Sequence, residues 1–118
     1  MKKIIFAIAI VSLTSCGIFR TLTSNTIIAP NDAFKLGDNK HGSFNVKLKN
    51  VSKNDLTIYE APIDGGKHSF VVVKPQETVK VSVDENTALI IENKSADTAS
   101  VDLYVKGDLG LSMGYVKQ

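Results

Sequence analysis

The sequence predicts an all-β fold: a small antiparallel β-sandwich of eight or nine short strands, with jelly-roll and barrel-like closures as variants. Three observations carry this prediction. Phe44-Asn45-Val46-Lys47-Leu48-Lys49 and Val79-Lys80-Val81-Ser82-Val83-Asp84 alternate apolar and polar residues without a break, and Val101-Asp102-Leu103-Tyr104-Val105-Lys106 nearly does. Period-two alternation marks strands with one buried and one wet face. Clusters of Gly, Pro, Asn, Asp and Ser punctuate the chain at short intervals, and no window shows helical spacing of its apolar residues.

The elements follow in order. Ile27-Ile28 opens the domain and stops at Pro30-Asn31-Asp32, where proline fixes φ and the Asn and Asp side chains bond their own backbone. Phe34-Lys35-Leu36 is a short strand ended by Gly37-Asp38-Asn39. Residues 44–49 form the next strand, ended by Ser52-Lys53-Asn54-Asp55. Leu56, Ile58 and Tyr59 mark another, which turns at Asp64-Gly65-Gly66, where glycines supply positive φ. Ser69-Phe70-Val71-Val72-Val73 is continuously apolar after its serine and predicts a strand covered on both sides or a barrel corner. Pro75-Gln76-Glu77 ends it, and residues 79–84 run to Asp84-Glu85-Asn86. Leu89 and Ile91 define a strand before Lys94-Ser95-Ala96-Asp97, residues 101–106 follow, and a glycine-containing segment, residues 108–115, comes last.

A faint repeat underlies this order. A shift of 45 residues lays Ile27-Ile28-Ala29-Pro30 on Val72-Val73-Lys74-Pro75, Phe34-Lys35-Leu36 on Val79-Lys80-Val81, and Leu56, Ile58 and Tyr59 on Val101, Leu103 and Tyr104. A two-residue slip brings Asn50-Val51-Ser52 onto Asn93-Lys94-Ser95. Two four-strand units related by an approximate two-fold, each burying its apolar face on the other, would produce this pattern.

The N-terminus has a separate logic. Lys2 and Lys3 precede an apolar run over residues 4–13, and small residues lead to Cys16. That is the layout of a secretory leader. The run is far shorter than the roughly 20 residues that span a bilayer. Leu13-Thr14-Ser15-Cys16 resembles the lipobox of a bacterial lipoprotein signal peptide. The resemblance implies cleavage before Cys16 and attachment of lipid, palmitate among its chains, to that residue. It implies a cell-envelope location, with Gly17 in place of a retention aspartate favouring the outer membrane, periplasmic or surface-facing. Cys16 is the only cysteine, so no internal disulfide forms, and a thioether accounts for the unpaired thiol. Two or more acyl chains anchor stably where one does not. The expected organisation is residues 1–15 as cleaved leader, 16–25 as lipidated cysteine and tether, and 26–118 as the domain.

The formal net charge of +2 comes entirely from the leader's two lysines. A near-neutral mature domain without a basic run lacks the footprint of nucleic-acid binding and gives no reason to expect polybasic membrane contacts beyond the lipid.

Catalytic and metal motifs are weak. His41 and His68 stand outside any ligand-spaced cluster and read as surface or strand histidines. His68-Ser69 near Asp64 has the residue types of a hydrolase triad but neither the order nor a Gly-x-Ser-x-Gly elbow. Asn50-Val51-Ser52 and Asn93-Lys94-Ser95 match a glycosylation sequon by accident. Neither a catalytic residue, a metal site nor a cofactor is expected. Residues 108–115 are the least ordinary stretch: Leu109, Leu111, Met113 and Tyr115 are the candidate contact surface, and Leu111, Met113 and Tyr115 are expected on one face.

These features predict a lipid-anchored, non-catalytic envelope protein. Its partners would be the membrane, through the lipid on Cys16, and another envelope protein bound by the displayed sandwich, with no nucleic acid. A ligand-binding lipoprotein, for carbohydrate or a small molecule, or a hydrolase inhibitor is the alternative class; the absence of Trp weakens the carbohydrate version.

Overall fold

The computed structural model describes residues 21–117, with side chains to residue 115. The leader, Cys16 and residues 17–20 lie outside the described residues. Nine strands follow one another without a helix: β1 (Thr21–Ile28), β2 (Asp32–Leu36), β3 (Phe44–Asn50), β4 (Leu56–Pro62), β5 (His68–Val73), β6 (Thr78–Val83), β7 (Thr87–Asn93), β8 (Ala99–Gly107) and β9 (Met113–Lys117). They form a four-stranded sheet, β1-β8-β3-β6, and a five-stranded sheet, β5-β4-β7-β2-β9, with every pairing antiparallel. The result is a sandwich and not a closed barrel.

Alternation sets which face is buried. Phe44, Val46 and Leu48 of β3 point inward while Asn45 and Lys47 point out. On β8, Val101, Leu103 and Val105 do the same against Asp102, Tyr104 and Lys106. From the other sheet come Leu36, Leu56, Ile58, Leu89 and Ile91. Fully burying one such side chain stabilises the fold by roughly 1.5–3 kcal/mol. Among the described residues, both sheets and this core are built entirely from residues 21–117, which makes that segment a folding unit.

The repeat read from the sequence appears in the topology. Adding four to each label converts β1-β8-β3-β6 into β5-β4-β7-β2 when β8 maps to β4, so one half exchanges the two sheets and β9 is an addition. Local structure agrees. Asn31 and Gln76 follow Pro30 and Pro75 with φ of 57° and 69°. Asn50 and Asn93, both fully buried, end β3 and β7 in the same turn. The Asn50 Oδ1 accepts from Ser52 N and Ser52 Oγ at 2.9 and 2.6 Å, and the Asn93 Oδ1 accepts from Ser95 N and Ser95 Oγ at 3.0 and 2.6 Å. The two sequon matches are therefore a pair of side-chain-closed turns whose asparagines no glycan could reach.

Two boundaries differ from the sequence reading. β1 begins at Thr21, so residues 21–25, expected to finish the tether, pair with β8 from Thr21↔Lys106 to Asn25↔Asp102. Only Leu22 of those five packs on the core, which is why alternation did not reveal them. The apolar run of β5 is not covered on both sides. It sits at a sheet edge, paired to β4 alone, and only Val73 is buried.

Candidate functional site

The C-terminal candidates do not form one patch. Leu109 and Leu111 lie in the loop before β9 and pack, half-buried, against the core. Met113 and Tyr115 lie on β9 opposite Leu36 and Phe34, on the inward face of an edge strand. Both remain about half exposed. Tyr115 meets Phe34 edge to face at 5.4 Å, and its hydroxyl donates to Ile27 O at 2.8 Å, which closes the gap between the sheets. Gly114 has open space beside it, so no close backbone approach requires this glycine. Leu109 and Leu111 are thus packing residues, while Met113 and Tyr115 keep half-exposed side chains on β9.

The histidines separate into two roles. His41 is buried in the loop between β2 and β3. Its Nδ1 lies 2.6 Å from Gly42 O, and its Nε2 lies 3.0 Å from Gly37 O and 2.9 Å from Thr87 O. It is a pin between loop and sheet, neither a surface nor a strand residue. His68 is exposed on β5, with Nδ1 2.8 Å from Ser69 Oγ. The Asp64 side chain has no hydrogen bond to it, and Ser69 holds a φ of 60° in an open edge strand. Among the described residues, no three His, Cys, Asp or Glu side chains converge as metal ligands.

The carboxylate with an unusual environment is Glu60, which the sequence did not single out. It is buried on β4, opposite Leu89 of β7 on one side and His68 of β5 on the other. Burial pushes its carboxyl above the ordinary range, His68 opposes that, and Asp84 adds to it.

Two surfaces stand out. On the outer face of the five-stranded sheet, Tyr59, Ile90, Ala33 and Ala88 form a small second cluster. Phe70 stacks on Tyr59 with ring centroids 4.8 Å apart, and Lys67 Nζ lies 5.1 Å from the Tyr59 centroid. The Tyr59 hydroxyl donates to Glu92 at 3.2 Å; burial first, then the Glu92 charge, raises its ionisation above the ordinary phenol range. Phe70 (59% exposed) and Val72 (53%) extend this cluster into an apolar strip along the free edge of β5, and Val71 (43%), opposite Ile58, is exposed on the other face of the same strand. The sequence held the signal, three consecutive valines after Phe70, but not the edge position that exposes them. The second surface is the outer face of the four-stranded sheet. Shallow concavities of about 640 and 480 Å³ lie there, both lined by Lys47 and Tyr104.

No protein-family profile and no curated protein matches the sequence. Among solved structures, the fold is similar to part of the capsular polysaccharide assembling protein CapF from Staphylococcus aureus, at 20% identity and a TM-score of 0.55, over 73% of this chain and 24% of that one. It is also similar to part of procruciferin, an 11S globulin from Brassica napus, at 10% identity and a TM-score of 0.54, over 80% of this chain and 23% of that one. The chain thus spans about a quarter of the length of these proteins, and the likeness is one of fold.

Proposed function

We propose that this is a lipid-anchored, non-catalytic protein of the bacterial cell envelope that displays its sandwich to another envelope protein. The lipobox-like Leu13-Thr14-Ser15-Cys16 supports the anchor. The exposed apolar residues Phe70, Val71 and Val72 on the edge strand β5, whose outer side is free, support the display. A free edge offers main-chain donors and acceptors to an incoming strand, and apolar side chains flanking it add affinity. Natural edges are usually blunted by charge or proline, and β5 has neither from Ser69 to Val73. This strip, rather than residues 109–115, is the contact surface.

Two experiments test the two halves of this reading. Cys16→Ala should block maturation and release the protein from the envelope fraction; unchanged processing and pelleting would end the anchor proposal. Detergent-extracted protein should co-purify with one envelope protein, and Phe70→Asp with Val72→Lys should abolish that without loss of stability. Identical recovery from parent and variant would remove β5 as the contact.

A further inference from the structure

The lysines dispersed along the sequence gather on one face of the fold. Across the outer face of the four-stranded sheet, register aligns Thr23, Tyr104, Lys47 and Lys80 in one row. The row on one side runs Thr21, Lys106, Asn45 and Ser82, and the row on the other runs Asn25, Asp102, Lys49 and Thr78. Four lysines thus surround Tyr104, and Asp102 is the one acid among these twelve positions. That carboxylate is already engaged by Asn25 Nδ2 at 2.8 Å. The ion pairs formed among the described residues, Lys35–Asp38 and Lys94–Glu92, lie elsewhere. The other six of the twelve positions, besides Tyr104 and these charged residues, are Thr, Ser and Asn; no apolar residue stands among them, and Ile27, half-exposed opposite Ser100, borders the face.

We propose that this face docks on anionic lipid headgroups and holds the domain flat on the membrane. Two observations select lipid over other polyanions. The charge is spread over a broad sheet face with only shallow concavities, which suits a planar charged surface. The anchor point is also close: β1 starts at Thr21, five residues after Cys16, and those five steps reach at most roughly 18 Å. The chain enters the sandwich along the edge of this same sheet, where Thr21 pairs with Lys106. The proximity argument rests on the anchored reading above; the charge argument does not. Lysines near an anionic bilayer each strengthen binding by roughly fivefold, within the screening length of the salt. Tyr104, 41% exposed at the centre, carries the amphipathic ring that favours a membrane interface.

The test uses the sandwich alone, residues 21–118, so its outcome is independent of lipidation at Cys16. It is sedimented with vesicles of phosphatidylcholine or of equal parts phosphatidylcholine and phosphatidylglycerol. The expected result is binding only to the anionic vesicles, weakening as salt rises from about 0.01 to about 0.15 M and the screening length falls from about 30 to about 8 Å. Lys47→Glu with Lys80→Glu should lower partitioning by at least about 20-fold. Lys53→Glu with Lys74→Glu makes the same change in net charge at exposed turns off this face, and should lower it less than about threefold. All four sites are exposed, and a thermal melt confirms that each variant is folded. Equal binding to both vesicle types, equal loss from both double variants, or no vesicle binding overturns the proposal. Binding to polygalacturonate in place of the anionic vesicles overturns it too, in favour of an acidic polysaccharide.

Discussion

Replacing Asn93 with Ala tests whether the side-chain-closed turns hold the two halves together. The Asn93 side chain is fully buried at the end of β7. Its Nδ2 donates to Asp97 O at 2.7 Å within the turn, and to Ile28 O at 3.0 Å and Ala29 O at 3.1 Å at the end of β1, in the other sheet. An amide has two hydrogens, so one of them is shared; with the two bonds accepted from Ser95, the group makes about four effective bonds. Each contributes about 1 kcal/mol net, and carbonyls left buried without a donor add to the loss. Asn93→Ala should therefore destabilise the sandwich by about 3–5 kcal/mol, a large share of the 5–15 kcal/mol typical of a domain. Urea unfolding of residues 21–118, read by linear extrapolation, measures it. Asn93→Asp keeps the acceptor for Ser95 but sets a carboxylate against three carbonyl oxygens, so it should be at least as damaging. A loss below about 1.5 kcal/mol for Ala, or a milder effect for Asp, would refute the reasoning.

Two further perturbations address other parts of the chain. The Glu60 carboxyl is raised above its ordinary value of 4.5 by burial, so the folded state holds that proton more tightly than the unfolded chain. The stabilisation is fully present below pH 4.5 and is lost as pH rises from there through the raised folded value. Glu60→Gln should flatten that limb of a stability–pH curve and make the domain more stable at pH 7; a steeper limb or a less stable variant contradicts it. Gly107 has a φ of 115°, and a Cβ there would stand 3.0 Å from both Phe44 Cα and Ser43 O. Gly107→Ala should cost at least about 1–3 kcal/mol and lower Tm by roughly 10 °C, whereas Gly114→Ala, with open space around it, should leave Tm nearly unchanged.

Most of the fold was legible because its signals are local. Strict alternation on β3, β6 and β8 identifies the buried face without knowledge of any partner strand. All seven predicted turns fall at strand ends, and five of them contain residues with positive φ: Asn31, Gly37, Gly65 with Gly66, Gln76 and Asn86. What escaped is set by pairing. The Thr21–Asn25 half of β1 turns only Leu22 towards the core and is otherwise polar, so period two has little to report. Phe70-Val71-Val72 reads the same whether a strand is central or marginal, and only the order β5-β4-β7-β2-β9 places it outside. His41 owes its burial to carbonyls 4 and 46 residues away, which no spacing rule links to it. Lys47, Lys80 and Lys106 sit on three different strands, and each reads alone as an ordinary outward residue.

The pseudo-two-fold explains how one repeated unit yields two unlike surfaces. The inward residues of the corresponding strands β3 and β7 stay apolar in both halves: Val46 and Leu48 in one, Leu89 and Ile91 in the other. Outward rows are free of that constraint. The row Thr23, Tyr104, Lys47 and Lys80 on one sheet corresponds to Phe70, Tyr59, Ile90 and Lys35 on the other. The tyrosine and the terminal lysine persist. The other two positions, Thr23 against Phe70 and Lys47 against Ile90, turn this row from wet and basic to apolar. A lysine beside Tyr104 leaves the ring standing free, 41% exposed. An isoleucine beside Tyr59, with Phe70 stacked at 4.8 Å, draws that ring down until it is nearly buried. Changes at outward positions leave the core untouched, because period-two alternation decouples the two faces of a strand. A sandwich built this way has two opposed, chemically distinct sides, one basic and hydrated around Tyr104, the other apolar around Tyr59 and Phe70.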